Sequence, residues 1–225
     1  MLFRRNSLHY TWSVFQDIQG LINLMGGKKK FISTLDGVFS MPPKFDNSYY
    51  GFTIHEIREM QIINMGNYAH GNQPLQHMIY LYNYAGQAWK TQLHVREVMD
   101  RLYTPQSDGY CGDEDNGQTS AWYIFSAMGF YPVCPGTDEY VFGSPSFKKI
   151  TLNLENGKTF SINSPENSSE NIFVNKIKLN NKNYKLNFIK HQDILNGGKL
   201  DFKMSKKPNF KRGTEKGSYP SSMSK

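Results

Sequence analysis

The chain has 225 residues, 38% hydrophobic, 14% aromatic and 20% charged, the balance of a folded globular protein and not of a disordered or fibrous one. Its formal charge of +7 is uneven: residues 1–150 carry 12 basic and 13 acidic side chains, while residues 151–225 carry 14 and 6. The basic third spreads its charge among Asn, Ser and Gly without a nucleic-acid motif, so no nucleic-acid partner is expected. No apolar run approaches the roughly 18 residues of a membrane span, and the opening residues turn polar before a signal-peptide core can form.

From Asp17, a capping residue, Ile18, Leu21, Ile22 and Met25 follow helical spacing and stop at Gly26-Gly27. A second helix carries Phe31, Leu35 and Phe39 and ends before Pro42-Pro43. Thr53 to Met65 places Ile54, Ile57, Ile62 and Met65 on one buried stripe. Pro74 suits a first helical turn and opens a segment with Met78, Ile79, Leu81 and Tyr82 that closes at Gly86. Leu93 to Leu102 and Gln118 to Met128 repeat the pattern.

After Pro132 come short β-rich runs at 140–142, 150–154, 159–162, 172–179, 184–189 and 200–204, with Asn156-Gly157 as a hairpin turn. Residues 206–225, rich in Lys, Ser, Gly and Pro, read as a flexible tail. The fold class expected is therefore α+β: about six helices in residues 1–139, then a β-rich, sandwich-like region over 140–205.

Cys111 and Cys134 alone make neither a disulfide framework nor a cysteine zinc site. The densest chemistry lies in Asp108 to Gln118, where Asp113, Glu114 and Asp115 stand in a glycine-bounded turn ahead of Trp122-Tyr123. Paired carboxylates suit a general base or a hard cation such as calcium; a solvated turn capping the next helix fits as well. His70, Asn72, Gln73 and His77 gather imidazoles and amides that match sugar hydroxyls, although Asn72 as a cap with His77 packed on the helix explains them equally. His55 and Glu56, adjacent on a helix, should diverge, one buried and one in water. Trp12, Trp89 and Trp122 suit sugar stacking or the core. Three polar loops, at Arg4 to His9, His70 to Gln73 and Gly112 to Gly117, each precede a helix and suggest one shared mouth.

The runs Gly71-Asn72-Gln73-Pro74, Tyr80 to Gln87, Lys90-Thr91-Gln92, Gly112 to Tyr123 and Gly129-Phe130-Tyr131-Pro132, in order, closely resemble glycoside hydrolase family 92. The resemblance runs from Tyr10-Thr11-Trp12 through Gly143-Ser144-Pro145 into the β part. It implies the carboxy-terminal portion of a calcium-dependent, inverting exo-α-mannosidase. The helices would then belong to a partial (α/α) barrel, and the parent enzyme would be periplasmic or extracellular. Asp115 assisted by Asp113 is implied as the base, and His55-Glu56 as the pair facing the leaving-group side in members acting on α-1,2 linkages. The calcium ligands are left unassigned. Where the family carries its general acid, six residues before Tyr10, this chain has Arg4, which cannot donate a proton because its pKa exceeds about 12. The chain alone is thus expected to be inactive toward its mannose-containing glycan. Two alternatives follow: a calcium-dependent mannose-binding remnant, or half of a split enzyme completed by an amino-terminal partner.

Overall fold

The computed structural model describes residues 7–43, 48 and 51–224. Helices α1 (Ser7–Tyr10), α2 (Ile18–Leu24), α3 (Lys28–Ser40), α4 (His55–Ile63), α5 (Ala88–Leu102) and α6 (Gln118–Met128) come first, interrupted by 3-10 turns at Gln73–Leu75 and Met78–Ala85. Asp17 caps α2 by accepting the Gly20 amide at 3.0 Å, and Gly129 ends α6 in the left-handed region at φ 98°. The segment opened by Pro74 is 3-10 and not α. All eight side chains of Met78–Ala85 are buried, and the Asn83 amide donates to the carbonyl of Tyr80 three residues back, as well as to Thr91 and Phe142.

The stripe on α4 is also rotated from the expected one. Ile57, Met60 and Ile63 are buried, whereas Ile62 is 81% exposed. Spacing alone did not separate the two faces, because isoleucines occupy both.

Strands β1 (Phe130–Tyr131), β2 (Glu139–Phe142) and β7 (Phe188–Lys190) form one antiparallel sheet in the order β1-β2-β7. Strands β3 (Lys149–Asn153), β4 (Thr159–Asn163), β8 (Gly198–Ser205), β5 (Phe173–Leu179) and β6 (Lys182–Tyr184) form a second in the order β3-β4-β8-β5-β6, with β4 and β8 parallel. A short helix, α7 (His191–Leu195), precedes β8. The run expected over 184–189 is split in two. Residues between its halves also bond to the carboxy-terminal segment: Asn187 accepts the Phe142 amide of β2 but donates its own amide to Ser218, and Arg212 donates to the carbonyl of Leu186.

One hydrophobic core joins the helices around Trp12, Phe31, Tyr68, Tyr80 and Trp122; another lies under the five-stranded sheet around Phe142, Phe160, Ile177 and Phe202. Phe125 packs against both. Buried Arg96 of α5 crosses between them, donating to the carbonyl of Pro145 and to Asn167 at 3.0 and 2.6 Å.

Residues 206–224, expected as a flexible tail, hold no helix or strand beyond turns, yet they are tied to the body. Ser222 and Ser224 donate to the Asp17 carboxylate, and Ser221 to Glu139. The Ser224 amide, then its hydroxyl, then Ser222 hold the Asp17 carboxyl down at about 2. Sequence composition suggested looseness here; hydrogen bonds to distant residues oppose it.

Candidate active site

Two loops meet backbone to backbone. A Cβ on Gly112 would lie 2.6 Å from the Gly71 Cα, and one on Gly71 would lie 2.7 Å from the Cys111 carbonyl oxygen, so only glycine allows this crossing. Across it, Gln73 donates to the carbonyl of Asp113 at 2.5 Å, and Thr119 donates to that carbonyl at 2.8 Å. The His70–Gln73 loop thereby holds the acid turn in place.

Within the turn the three acids divide. Glu114 turns inward and accepts from the Ser120 hydroxyl and amide at 2.6 and 3.2 Å, capping α6, while Asp113 and Asp115 stay exposed. The capping function that composition allowed thus falls to Glu114. Asp115, Asn116 and Gly117 follow in the left-handed region at φ 47°, 58° and 87°. Two non-glycine residues in succession there make a strained turn of the kind found at functional sites.

The amino end of α4 brings the other half. Glu56 is buried and His55 exposed, as their adjacency required. The imidazole nevertheless reaches both ways, with Nδ1 3.4 Å from the Glu56 carboxylate and Nε2 3.6 Å from that of Asp113. Glu59, one turn further on, lines a cavity of about 620 Å³ together with Cys111, Gly112 and Asp113. Burial raises its pKa, Asp113 and Glu56 add to the rise, and His55 opposes it. Sequence reading passed over Glu59, although its position one helical turn after His55-Glu56 was the available signal. Burial pushes the Cys111 thiol up to about 12, so it stays protonated.

The imidazole–amide segment does not gather at one surface. His70 is fully buried, its Nδ1 2.7 Å from the Tyr68 hydroxyl and its Nε2 2.8 Å from that of Tyr103, with Trp122 against its ring. Burial lowers its pKa to about 3, leaving it neutral. Both ring nitrogens are engaged, so this structure gives His70 no open face to a sugar, contrary to the expected substrate contact. His77 is buried too, with Nε2 2.8 Å from the carbonyl of Trp12 and its ring 4.3 Å from that of Phe15. It lines an apolar cleft of about 360 Å³ with Phe15, Gln73, Gln118 and Tyr131. Asn72 precedes the 3-10 turn and accepts the Leu75 amide through its backbone carbonyl; its side chain makes no capping bond. Trp12 and Trp122 are core residues, and Trp89 packs edge-on against Phe210. Arg4 lies outside the described residues.

Calcium takes roughly six to eight oxygen ligands. Among the described residues no group of three or more His, Cys, Asp or Glu side chains is placed to hold a metal ion. The side chains of the acid turn therefore do not form a cation cage by themselves. Among the same residues no helix is long and apolar enough to cross a membrane.

The profile of the "Glycosyl hydrolase family 92 catalytic domain" matches residues 2–206. A family 92 inverting mannosidase from Bacteroides thetaiotaomicron is 54% identical, with a TM-score of 0.85, covering 99% of this chain and 30% of its own. An α-mannosidase of that family and organism, solved with mannoimidazole, is 39% identical with a TM-score of 0.89 and covers 98% of this chain and 28% of its own. An uncharacterized secreted glycosidase of Arthroderma benhamiae is 28% identical over 193 residues, which are 84% of this chain and 22% of that protein. The chain thus spans less than a third of the length of each.

Proposed function

This chain belongs to glycosyl hydrolase family 92, and we propose that it carries the water-activating side of an inverting exo-α-mannosidase. Its helices are read as one side of an (α/α) barrel over residues 1–139, with the β-rich region of 140–205 after it. Its mannose-containing substrate would be held at an active centre completed by an amino-terminal partner segment, in an exported enzyme.

The observation that carries this reading is the His55 imidazole set between Glu56 and Asp113 at the crossing of the two loops. In inversion a general acid protonates the leaving oxygen while a carboxylate on the other face deprotonates water, about 6.5–9.5 Å away. Asp115 is assigned as that base. Asp113, anchored through its carbonyl and facing His55, sets the field beside it. His55-Glu56 orients the leaving-group sugar, which is the basis for assigning α-1,2 linkages. Gln73 holds the turn, with Asn72 preceding it in the loop. Calcium enters as an ion that would hold mannose hydroxyls.

Arg4 stands where the acid is needed, so turnover by this chain alone is not expected. The test joins the chain to an amino-terminal portion from a family 92 mannosidase, with Arg4→Glu, and follows mannose release from an α-1,2-linked disaccharide. Asp115→Asn should then lower turnover at least about a hundredfold while calcium-dependent mannose binding persists. Near-normal turnover in Asp115→Asn removes the base assignment. Binding with no turnover in any completed form favours a mannose-binding remnant, and activity on simple mixing favours a split enzyme.

A further inference from the structure

Four of the 14 basic side chains of the last third, Lys176, Lys178, Lys199 and Lys203, share one face of the five-stranded sheet. Leu200, Phe202 and Met204 of β8 point into the core, so Lys199, Asp201 and Lys203 face outward. On β5, Lys176 is paired directly opposite Lys203, and Lys178 opposite Asp201. Two lysines in direct cross-strand register repel each other, since their Cβ atoms stand only about 5 Å apart.

Three lysines elsewhere in this region have carboxylate partners. Lys185 pairs with Glu215 at 3.1 Å, Lys190 with Asp138 at 3.4 Å and Lys206 with Glu170 at 3.0 Å. On the sheet face, Asp201 is already engaged, 3.7 Å from Lys199 and accepting from the Asn163 amide at 2.9 Å. Among the described residues no carboxylate forms an ion pair with Lys176, Lys178 or Lys203. With Lys199, these lysines line a groove of about 570 Å³ whose wall also carries the carboxylates of Glu166 and Asp201 and the amides of Asn163 and Asn181, so that four ammonium groups face two carboxylates.

We propose that this groove is a second binding site, for a sugar that carries a phosphate or sulfate group. The uncompensated ammonium groups supply the counter-charge for such an anion, and amides that both donate and accept suit ring hydroxyls. A nucleic acid fits less well, because no exposed aromatic ring lines the groove to stack on bases. The site's saccharide component rests on family membership, while its charge component stands on the register alone; neither needs the acid turn to be catalytic.

The test titrates the full chain with mannose 6-phosphate, mannose 6-sulfate and mannose, following backbone amide NMR shifts. One or both charged sugars should shift amides of β4, β5 and β8, with mannose alone at least tenfold weaker; comparing the two esters tells which anion the site prefers. Lys176→Gln with Lys203→Gln should weaken that binding at least tenfold, and Lys185→Gln should leave it unchanged. Mannose release by the completed enzyme is followed in parallel and should not change in the double variant, so this site and the hydrolase reading fail separately. Failure of both charged sugars to bind overturns the proposal, as do shifts away from these strands. Tighter binding of a DNA duplex or of phosphatidylserine vesicles at the same strands also overturns it. Should the double variant not fold, the location of the shifts in the unmodified chain decides.

Discussion

Asp113 and Lys176 both stand in solvent beside like-charged neighbours, but the backbone beneath them is built in opposite ways. Lys176 re-enters an antiparallel ladder just after a register shift past Val174, and its direction and spacing from there follow from strand geometry and its own segment of sequence. Asp113 sits on a turn shaped from elsewhere by Gly71, forty-two positions earlier, and by Gln73, and from within by three successive left-handed residues. The sheet face would tolerate a changed side chain. The acid turn would not tolerate a changed backbone contact.

That contrast can be broken most sharply at the glycine crossing. Gly112→Ala puts a methyl 2.6 Å from the Gly71 Cα, and should cost about 2–3 kcal/mol, read as a lowered midpoint in urea. Mannose binding should fall with it. A variant as stable as the parent would mean that the two loops part easily. Gln73→Ala removes the amide from the Asp113 carbonyl while leaving Thr119 in place, and should cost about 1 kcal/mol. Its distinguishing signature is a larger loss of turnover than of stability in the completed enzyme.

A smaller effect concerns Glu59. Because burial raises its pKa in the folded state, the stability it contributes is fully present below its ordinary value of 4.5 and is lost as pH rises through the raised one. Glu59→Gln should therefore raise Tm at pH 7 by about 1–3 °C, the exposed part of the carboxyl being screened, and leave Tm unchanged at pH 4. A gain at pH 4 as large as that at pH 7 would remove burial of the charge as the cause. Against these, Lys176→Gln should stabilise by no more than about 0.5 kcal/mol through relief of the facing lysine.

How much of this was legible follows the same division. Helix limits set by local signals were readable: Asp17 as the cap of α2, Pro42-Pro43 beyond α3, Gly129 after α6. Strand starts after Pro132 were readable from β-branched runs between Asn and Gly turns. Features set by distant partners were not. The composition around His70 suggests a polar surface loop, yet the hydroxyls of Tyr68 and Tyr103 satisfy both ring nitrogens and allow the ring inside. Nothing near Leu186 and Asn187 announces that Arg212 and Ser218 interrupt the strand there. At the site, the resemblance supplied Asp113, Asp115 and His55-Glu56 as candidates, but the residues alone did not show that Glu114 would turn away from them to cap α6. Glu59 was missed because a single carboxylate on a helix has no pattern of its own until the acid turn is folded against it.

The clasp at Asp17 has an implication for the order of events during synthesis. Its carboxylate takes hydrogen bonds from Ser222 and Ser224, 205 and 207 positions later. Helix α2 leaves the ribosome well before the carboxy-terminal segment, so its opening turn waits for 207 further residues before every partner of Asp17 has emerged. Until then Gly20 alone, of these partners, is present to bind it, so nascent chains stalled just short of Ser222 should present an early helix whose first turn opens more readily than in the finished protein.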